Sequence, residues 1–268
     1  MTGTETGTGI LHGRHAVVTG AGGGLGSAIA DALAAEGAHL TLMGRTAATL
    51  DDLAGVIART HAVRARGIVV DVCDPAGVAR AFADAIAEGG PVGILVNNAG
   101  QSDASAFGDI LIDDWERVLR VNLTGAFLCM QQALPAMLAA GHGRIVTVAS
   151  TAALKGYVRT AAYCASKHGV VGLTRALAAE TAKTGVTVNA VCPGYTDDTE
   201  MLRTAIANVS ALTGRTMDEA RAVLAKQSPR GTFVTPKEVA DAIVWLCSPE
   251  ASAITGQALP VAAGEVMR

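Results

Sequence analysis

Short, almost wholly apolar runs alternate with longer Ala/Leu-rich amphipathic stretches along most of the chain. The runs at 16–19, 39–43, 67–70, 94–97, 145–149, 186–191 and 258–261 have strand length and are rich in Val, Ile and Leu. Between them, 27–36, 46–59, 75–88, 113–139, 161–184 and 236–246 have helical length, apolar spacing and start signals. Strands that are apolar throughout are buried on both faces, and right-handed crossovers then place helices on both sides of a parallel sheet. The predicted fold class is α/β with a doubly wound parallel sheet, whose ligands bind at the carboxyl ends of the strands.

One stretch breaks the rhythm. Residues 195–229 follow the sixth strand, contain a helical piece with Met201, Leu202, Ile206 and Leu212, and rejoin the pattern only at Pro236. Excursions of this length are usually functional or mobile, so a lid is expected there. The rest of 13–268 reads as one domain, preceded by a Thr/Gly-rich flexible tail at 1–12.

Composition narrows the function classes. A net charge of −3 with 17% charged residues argues against a polyanion-binding surface, so no nucleic-acid partner is expected. No uninterrupted apolar run of about 18 residues occurs, and no membrane partner is expected. The five cysteines are scattered without C-x-x-C spacing and the six histidines lack metal-ligand spacing. Reduced thiols, a cytoplasmic location and no metal follow as expectations.

The candidate chemistry begins after the first strand, where Thr19-Gly20-Ala21-Gly22-Gly23-Gly24-Leu25-Gly26 runs into a helix. Glycines let the backbone approach a ligand closely, and a helix amino terminus offers unpaired N–H groups to a diphosphate. The second strand ends in Gly44-Arg45-Thr46, without the carboxylate that would hold a free ribose 2′-hydroxyl. Arg45 is placed to pair with a 2′-phosphate, which favours NADP over NAD. Asp71 after the third strand and Asn97-Asn98-Ala99-Gly100 after the fourth complete this end, although either could serve simple turn chemistry.

At the other end, Tyr163 and Lys167 stand four apart in a helical segment and so share one face. Ser150 ends the fifth strand and Asn122 lies in the long helix before it. A free phenol, with a pKa of about 10, is a weak acid for protonating an alkoxide. A neighbouring ammonium lowers that pKa, so Tyr163 reads as proton donor, Lys167 as the ammonium and holder of the nicotinamide ribose, and Ser150 as hydrogen-bond donor to the substrate oxygen.

Together Gly20, Gly24, Gly26, Asp71, Asn97 to Gly100, Asn122, Ser150, Tyr163, Lys167 and Pro193-Gly194 resemble the compact single-domain branch of the short-chain dehydrogenase/reductase family. The resemblance implies a Rossmann-type sheet in the order 3-2-1-4-5-6-7, a homotetramer, and a water-linked proton relay shaped by Asn122. It also implies cofactor contacts at Gly22, Gly23, Leu25, Val72, Asn98, Ala99, Gly100 and Thr196. The segments around Ser150, Tyr163 and Asn189 look like those of 3-oxoacyl-thioester reductases and polyketide ketoreductases. Two departures stand out: the stretch after Gly194 is one residue longer than usual, and Ala262-Ala263-Gly264 replaces a Gly-Gly.

Three functions remain open on the sequence. The first is reduction of a 3-oxoacyl thioester, with Arg203, Arg215, Arg221, Lys226 and Arg230 available to a phosphate. The second is oxidation or reduction of a free apolar ketone, cyclic alcohol, steroid or sugar. For either substrate, contacts are expected at Ser150, Ala152, Leu154, Tyr157, Tyr195, Met201 and Leu202. The third is a non-catalytic, dinucleotide-sensing protein.

Overall fold

The computed structural model describes residues 9–267. Seven parallel strands form one sheet in the order β3-β2-β1-β4-β5-β6-β7. They are β1 (His15–Thr19), β2 (His39–Gly44), β3 (Ala65–Val69), β4 (Ile94–Asn97), β5 (Gly143–Val148), β6 (Val186–Pro193) and β7 (Ala258–Val261). The central strands β1, β4, β5 and β6 are buried along their whole length, as a sheet covered on both faces requires.

Helices α1 (Gly24–Ala35), α2 (Ala47–His61) and α3 (Pro75–Gly89) alternate with the first strands. The expected helix at 113–139 is instead three pieces: α4 (Ile112–Leu119), a π-helical turn at Arg120–Thr124, and α5 (Gly125–Ala140). Helix α6 (Ala161–Thr181) precedes β6, and α7 (Glu200–Thr213), α8 (Met217–Ala225) and α9 (Pro236–Cys247) follow it. One apolar core joins α1, α2 and α9 to one sheet face, and a second joins α3, α5 and α6 to the other.

The continuous helical run Ile112–Ala140 is long and apolar enough to cross a membrane by length and composition. Cys129, Met130, Ala133 and Met137 of that run are packed into the second core, however, while Phe127 and Leu138 stay partly exposed.

One expectation needs revision. Within residues 9–12, read from composition as part of a flexible tail, Leu11 is packed while Ile10 and His12 are exposed. Leu11 is 1% exposed in the first core, and its N–H donates to the Glu36 carbonyl at 2.9 Å. Residues 1–8 of the expected tail lie outside the described residues. Within 195–229, α7 and α8 fold against each other over Leu202, Ile206, Ala220 and Leu224, with Phe233 closing this small separate core. The helical piece expected in this excursion is thus two packed helices.

Candidate active site

The carboxyl ends of β1, β4, β5 and β6 meet along a cleft of about 510 Å³. At one end lies the glycine turn. Gly20 has φ +63°, and a Cβ there would lie 2.8 Å from the Ala99 Cα. A Cβ on Gly26 would lie 2.2 Å from the Gly20 carbonyl oxygen. Neither position can carry a side chain without moving the backbone. Asn98 fixes this turn: its Nδ2 donates to the carbonyls of Thr19 and Gly20 at 3.2 and 3.0 Å, while the Thr19 hydroxyl accepts from the Asn98 and Ala99 N–H groups.

Helix α1 starts at Gly24 with Gly23 as its cap, and among the described residues no side chain caps the N–H groups of its first turn. Those amide donors face the cleft lined by Gly20, Gly23, Gly24, Leu25 and Gly26, so the turn fits a dinucleotide's diphosphate. Gly22 lies beside the Thr49 methyl and outside the cleft lining.

Arg45 is exposed at the end of β2. Among the described residues it makes no ion pair. Asp71 uses a carboxylate oxygen to accept from the Cys73 N–H at 2.9 Å, which is turn chemistry. The Val72 side chain is buried against Gly125, where an added Cβ would stand 2.7 Å from its methyl. None of Arg45, Asp71 and Val72 lines the main cleft; they border the ends of β2 and β3 next to β1.

Ser150, Tyr163 and Lys167 line the cleft together with Asn98, Ala99 and Gly100. Ser150 follows β5, and its hydroxyl accepts from the Ala152 N–H at 3.1 Å. Tyr163 and Lys167 project from one side of α6, with the Lys167 ammonium 5.7 Å from the Tyr163 ring centroid. The ammonium donates to the Val148 carbonyl at 2.8 Å. The phenol donates to the Met201 sulfur at 3.7 Å.

Both groups are deeply buried, and burial dominates their titration. It pushes the Tyr163 phenol up to about 12, partly opposed by the Ser150 hydroxyl, and draws the Lys167 ammonium down to about 8. The expected lowering of the phenol by Lys167 does not emerge: desolvation sets the direction, and the group that opposes it is the Ser150 hydroxyl.

Asn122 sits in the π turn, a distortion that recurs at functional sites. Its side chain accepts from the Gln101 N–H at 2.8 Å and donates to the Gln101 carbonyl and the Ser166 hydroxyl, each at 2.9 Å. Ser166 in turn donates to the Tyr163 carbonyl at 2.8 Å. Asn122 thus ties the loop after β4 to α6, and its Oδ1 and the Lys167 ammonium lie 3.3 and 3.5 Å from the space a Gly100 Cβ would take.

The remaining wall comes from Ala152, Tyr157, Pro193, Gly194, Tyr195, Thr196, Met201 and Leu202. Leu154, expected there, turns instead into a small core beneath the cleft with Ala149, Val170 and Cys192. The basic residues of 195–229 are mostly committed elsewhere. Arg203 pairs with Glu200, Arg221 with Asp197 and Arg230 with Glu238, and Arg215 and Lys226 are exposed away from the cleft.

Two features had no sequence signal. Glu265, with its side chain 3% exposed, pairs with Lys155 at 3.0 Å and accepts from the Tyr157 hydroxyl. That hydroxyl also bonds Thr151 at 2.6 Å, and Lys155 stacks 4.8 Å from the Tyr157 ring centroid. The chain's last residues therefore brace a cleft wall. The second feature is Arg159, which lines the cleft from the turn before α6. The five cysteines are free thiols, and no metal-binding cluster occurs among the described residues.

Comparison with known proteins agrees with this geometry. The short chain dehydrogenase family model matches residues 14–210. A putative ketoacyl reductase of the granaticin polyketide synthase of Streptomyces violaceoruber is 41% identical, over 93% of this chain and 92% of its own. The 3-oxoacyl-(acyl-carrier-protein) reductase FabG of Escherichia coli is 36% identical, over 96% of this chain and 99% of its own. A crystal structure of an actinorhodin polyketide ketoreductase variant with NADPH superposes with a TM-score of 0.90 at 39% identity, covering 94% of this chain and 97% of that one. These matches displace the non-catalytic reading: the chain belongs to the short-chain dehydrogenase/reductase family and is an oxidoreductase acting between carbonyl and alcohol.

Proposed function

We propose that this protein is an NADP-dependent reductase of 3-oxoacyl thioesters carried on coenzyme A or a carrier protein. The observation that carries the reading is one continuous cleft with the side-chain-free glycine turn at one end and Ser150, Tyr163 and Lys167 at the other. The ketoacyl reductases among its relatives supply the substrate class.

In this reading the α1 amino terminus and Gly20 to Gly26 hold the diphosphate, Arg45 meets the 2′-phosphate, and Lys167 holds the nicotinamide ribose. Bound nicotinamide would supply the hydride. Ser150 donates a hydrogen bond to the carbonyl oxygen and Tyr163 passes its phenolic proton to the developing alkoxide. Burial holds the phenol near 12, and lowering it for proton transfer is the role assigned here to the Lys167 ammonium, 5.7 Å from the ring centroid. Asn122 keeps α6 and the loop after β4 in register, and Asn98 does the same for the glycine turn.

The apolar wall of Met201, Leu202, Val209 and Leu212 supports a second reading, a free apolar ketone or cyclic alcohol as substrate. We further propose a single catalytic domain with α7 and α8 as its lid, working in the cytoplasm as a homotetramer without nucleic-acid, membrane or metal partners. Exposed Phe127 and Leu138 on α5 support the assembly, which light scattering would measure.

The test of function is turnover. Loss of reduced-cofactor absorbance with acetoacetyl thioesters, faster with NADPH than with NADH, is the expected outcome. Reduction of cyclic ketones with no thioester activity would replace the first reading by the second.

A further inference from the structure

We infer that Arg159 binds an anionic oxygen group of the substrate, a carboxylate or a phosphate, inside the cleft that holds Tyr163. The inference rests on the proposed carbonyl chemistry at Tyr163 and extends it to the charge of the substrate.

Three observations converge on Arg159. Its backbone has φ +67°, a left-handed conformation that a bulky residue rarely adopts. Its carbonyl accepts from the Ser105 N–H at 2.9 Å, which clamps the turn to the loop after β4 and holds that conformation in place. Among the described residues its side chain finds no hydrogen-bond or ion-pair partner, although the Nε is shielded from solvent. A buried donor left unmade is unfavourable, and such donors together with backbone strain gather at ligand sites.

Among the described residues neither acid that faces the same cleft pairs with Arg159. Asp103 accepts from the Ala104 N–H at 2.7 Å, and Glu200 pairs with Arg203 at 3.0 Å. Behind the Tyr157 wall, Glu265 is held by Lys155. The other cation in the cleft, Lys167, bonds the Val148 carbonyl and is assigned to the nicotinamide ribose in the proposed chemistry. Arg159 is therefore the guanidinium in this cleft that remains available to a ligand, in contrast to Arg203, Arg221 and Arg230 with their carboxylate partners.

Arg159 also stands within reach of the reacting carbonyl. Four residues of fully extended chain span at most about 14 Å, so its Cα and that of Tyr163 are no farther apart than that. A carboxylate a few bonds from the ketone meets this geometry directly. A phosphate on a pantetheine arm meets it when the arm folds back along the cleft.

The test compares two substrate pairs in the wild type, Arg159→Asn and Arg159→Lys. Asparagine tolerates the left-handed backbone and so separates the charge from the fold. The first pair is 4-oxopentanoate and its methyl ester. The second is acetoacetyl-coenzyme A and the neutral acetoacetyl thioester of N-acetylcysteamine. The wild type is expected to prefer the anionic member of one pair. In Arg159→Asn that preference, as a ratio of kcat/KM values, should fall about 10- to 100-fold through KM, the range of a hydrogen bond to a charged group, and Arg159→Lys should restore most of it.

A fall confined to the first pair assigns the carboxylate, and one confined to the second assigns the phosphate. No anionic preference in the wild type, or a preference that survives Arg159→Asn, overturns the inference. Reduction of the acid with no activity on either thioester would remove the proposed thioester function while leaving Arg159 tested.

Discussion

Replacing Lys167 by Met should abolish turnover yet make the protein more stable at neutral pH. The ammonium is 4% exposed, and its hydrogen-bond partner is the neutral Val148 carbonyl, with no carboxylate in the pairing. Burial lowers its pKa from 10.5 to about 8, which at 1.36 kcal/mol per tenfold change in proton affinity is on the order of 3 kcal/mol against the folded state below pH 8. Methionine fills similar space without charge but forfeits the bond to Val148, roughly 1–2 kcal/mol. The net gain is about 1–2 kcal/mol, or roughly 2–4 °C in melting temperature for a chain of this size.

The pH dependence provides the sharper check. The folded-state pKa lies below the unfolded one, so between about 8 and 10.5 the unfolded chain binds the extra proton. Wild-type stability contributed by this group therefore rises with pH across that window. The Met variant lacks this rise, so its advantage at pH 7 should vanish, and its rank reverse, by about pH 10.5. Thermal melts followed by circular dichroism, at equal protein concentration, would measure both ends. A Met variant less stable than wild type at pH 7, or a gap that does not change with pH, would refute the reasoning.

Tyr163→Phe removes the proton donor alone. Its kcat should fall at least about 100-fold while cofactor affinity, read by fluorescence titration, stays as in wild type. Arg45→Ala should weaken NADPH binding about 10- to 100-fold and NADH binding far less; equal losses would show that Arg45 does not read the phosphate. Glu265→Gln breaks the pair with Lys155 and loosens Tyr157. It should lower stability by about 1–3 kcal/mol, since Lys155 is partly solvated, and raise KM more than it lowers kcat.

How much of this was legible in the sequence depended on the range of the interactions. β6 is buried at every position and mostly apolar, so its run announced a central strand, and the four-residue spacing of Tyr163 and Lys167 placed both on one face of a helix. The π turn at Arg120–Thr124 left no such mark. The apolar periodicity of 113–139 runs straight through it, and the turn coincides with the bonds Asn122 makes to Gln101 and Ser166. Leu154 has the apolarity of a pocket residue, but the 3₁₀ turn after Ser150 directs it into the core.

Composition misled at 9–12, where a Thr/Gly-rich beginning hid the anchor that Leu11 finds on Glu36. The Glu265 bond to Tyr157 spans 108 positions, beyond any local pattern. Arg159 carried no motif, because what marks it is its backbone angle and the lack of a partner.

The central claim is that the glycine turn, Ser150, Tyr163 and Lys167 serve one reaction in one cleft. Its most direct test is isotopic: the enzyme is supplied with NADPH deuterated at the transferable position of the nicotinamide and with an acetoacetyl thioester, and the product is read by mass spectrometry. One deuterium at the new carbinol carbon, absent over the same interval with Tyr163→Phe, is the expected result. Oxidation of the cofactor without deuterium in the product, or equal labelling by the Phe variant, would contradict it.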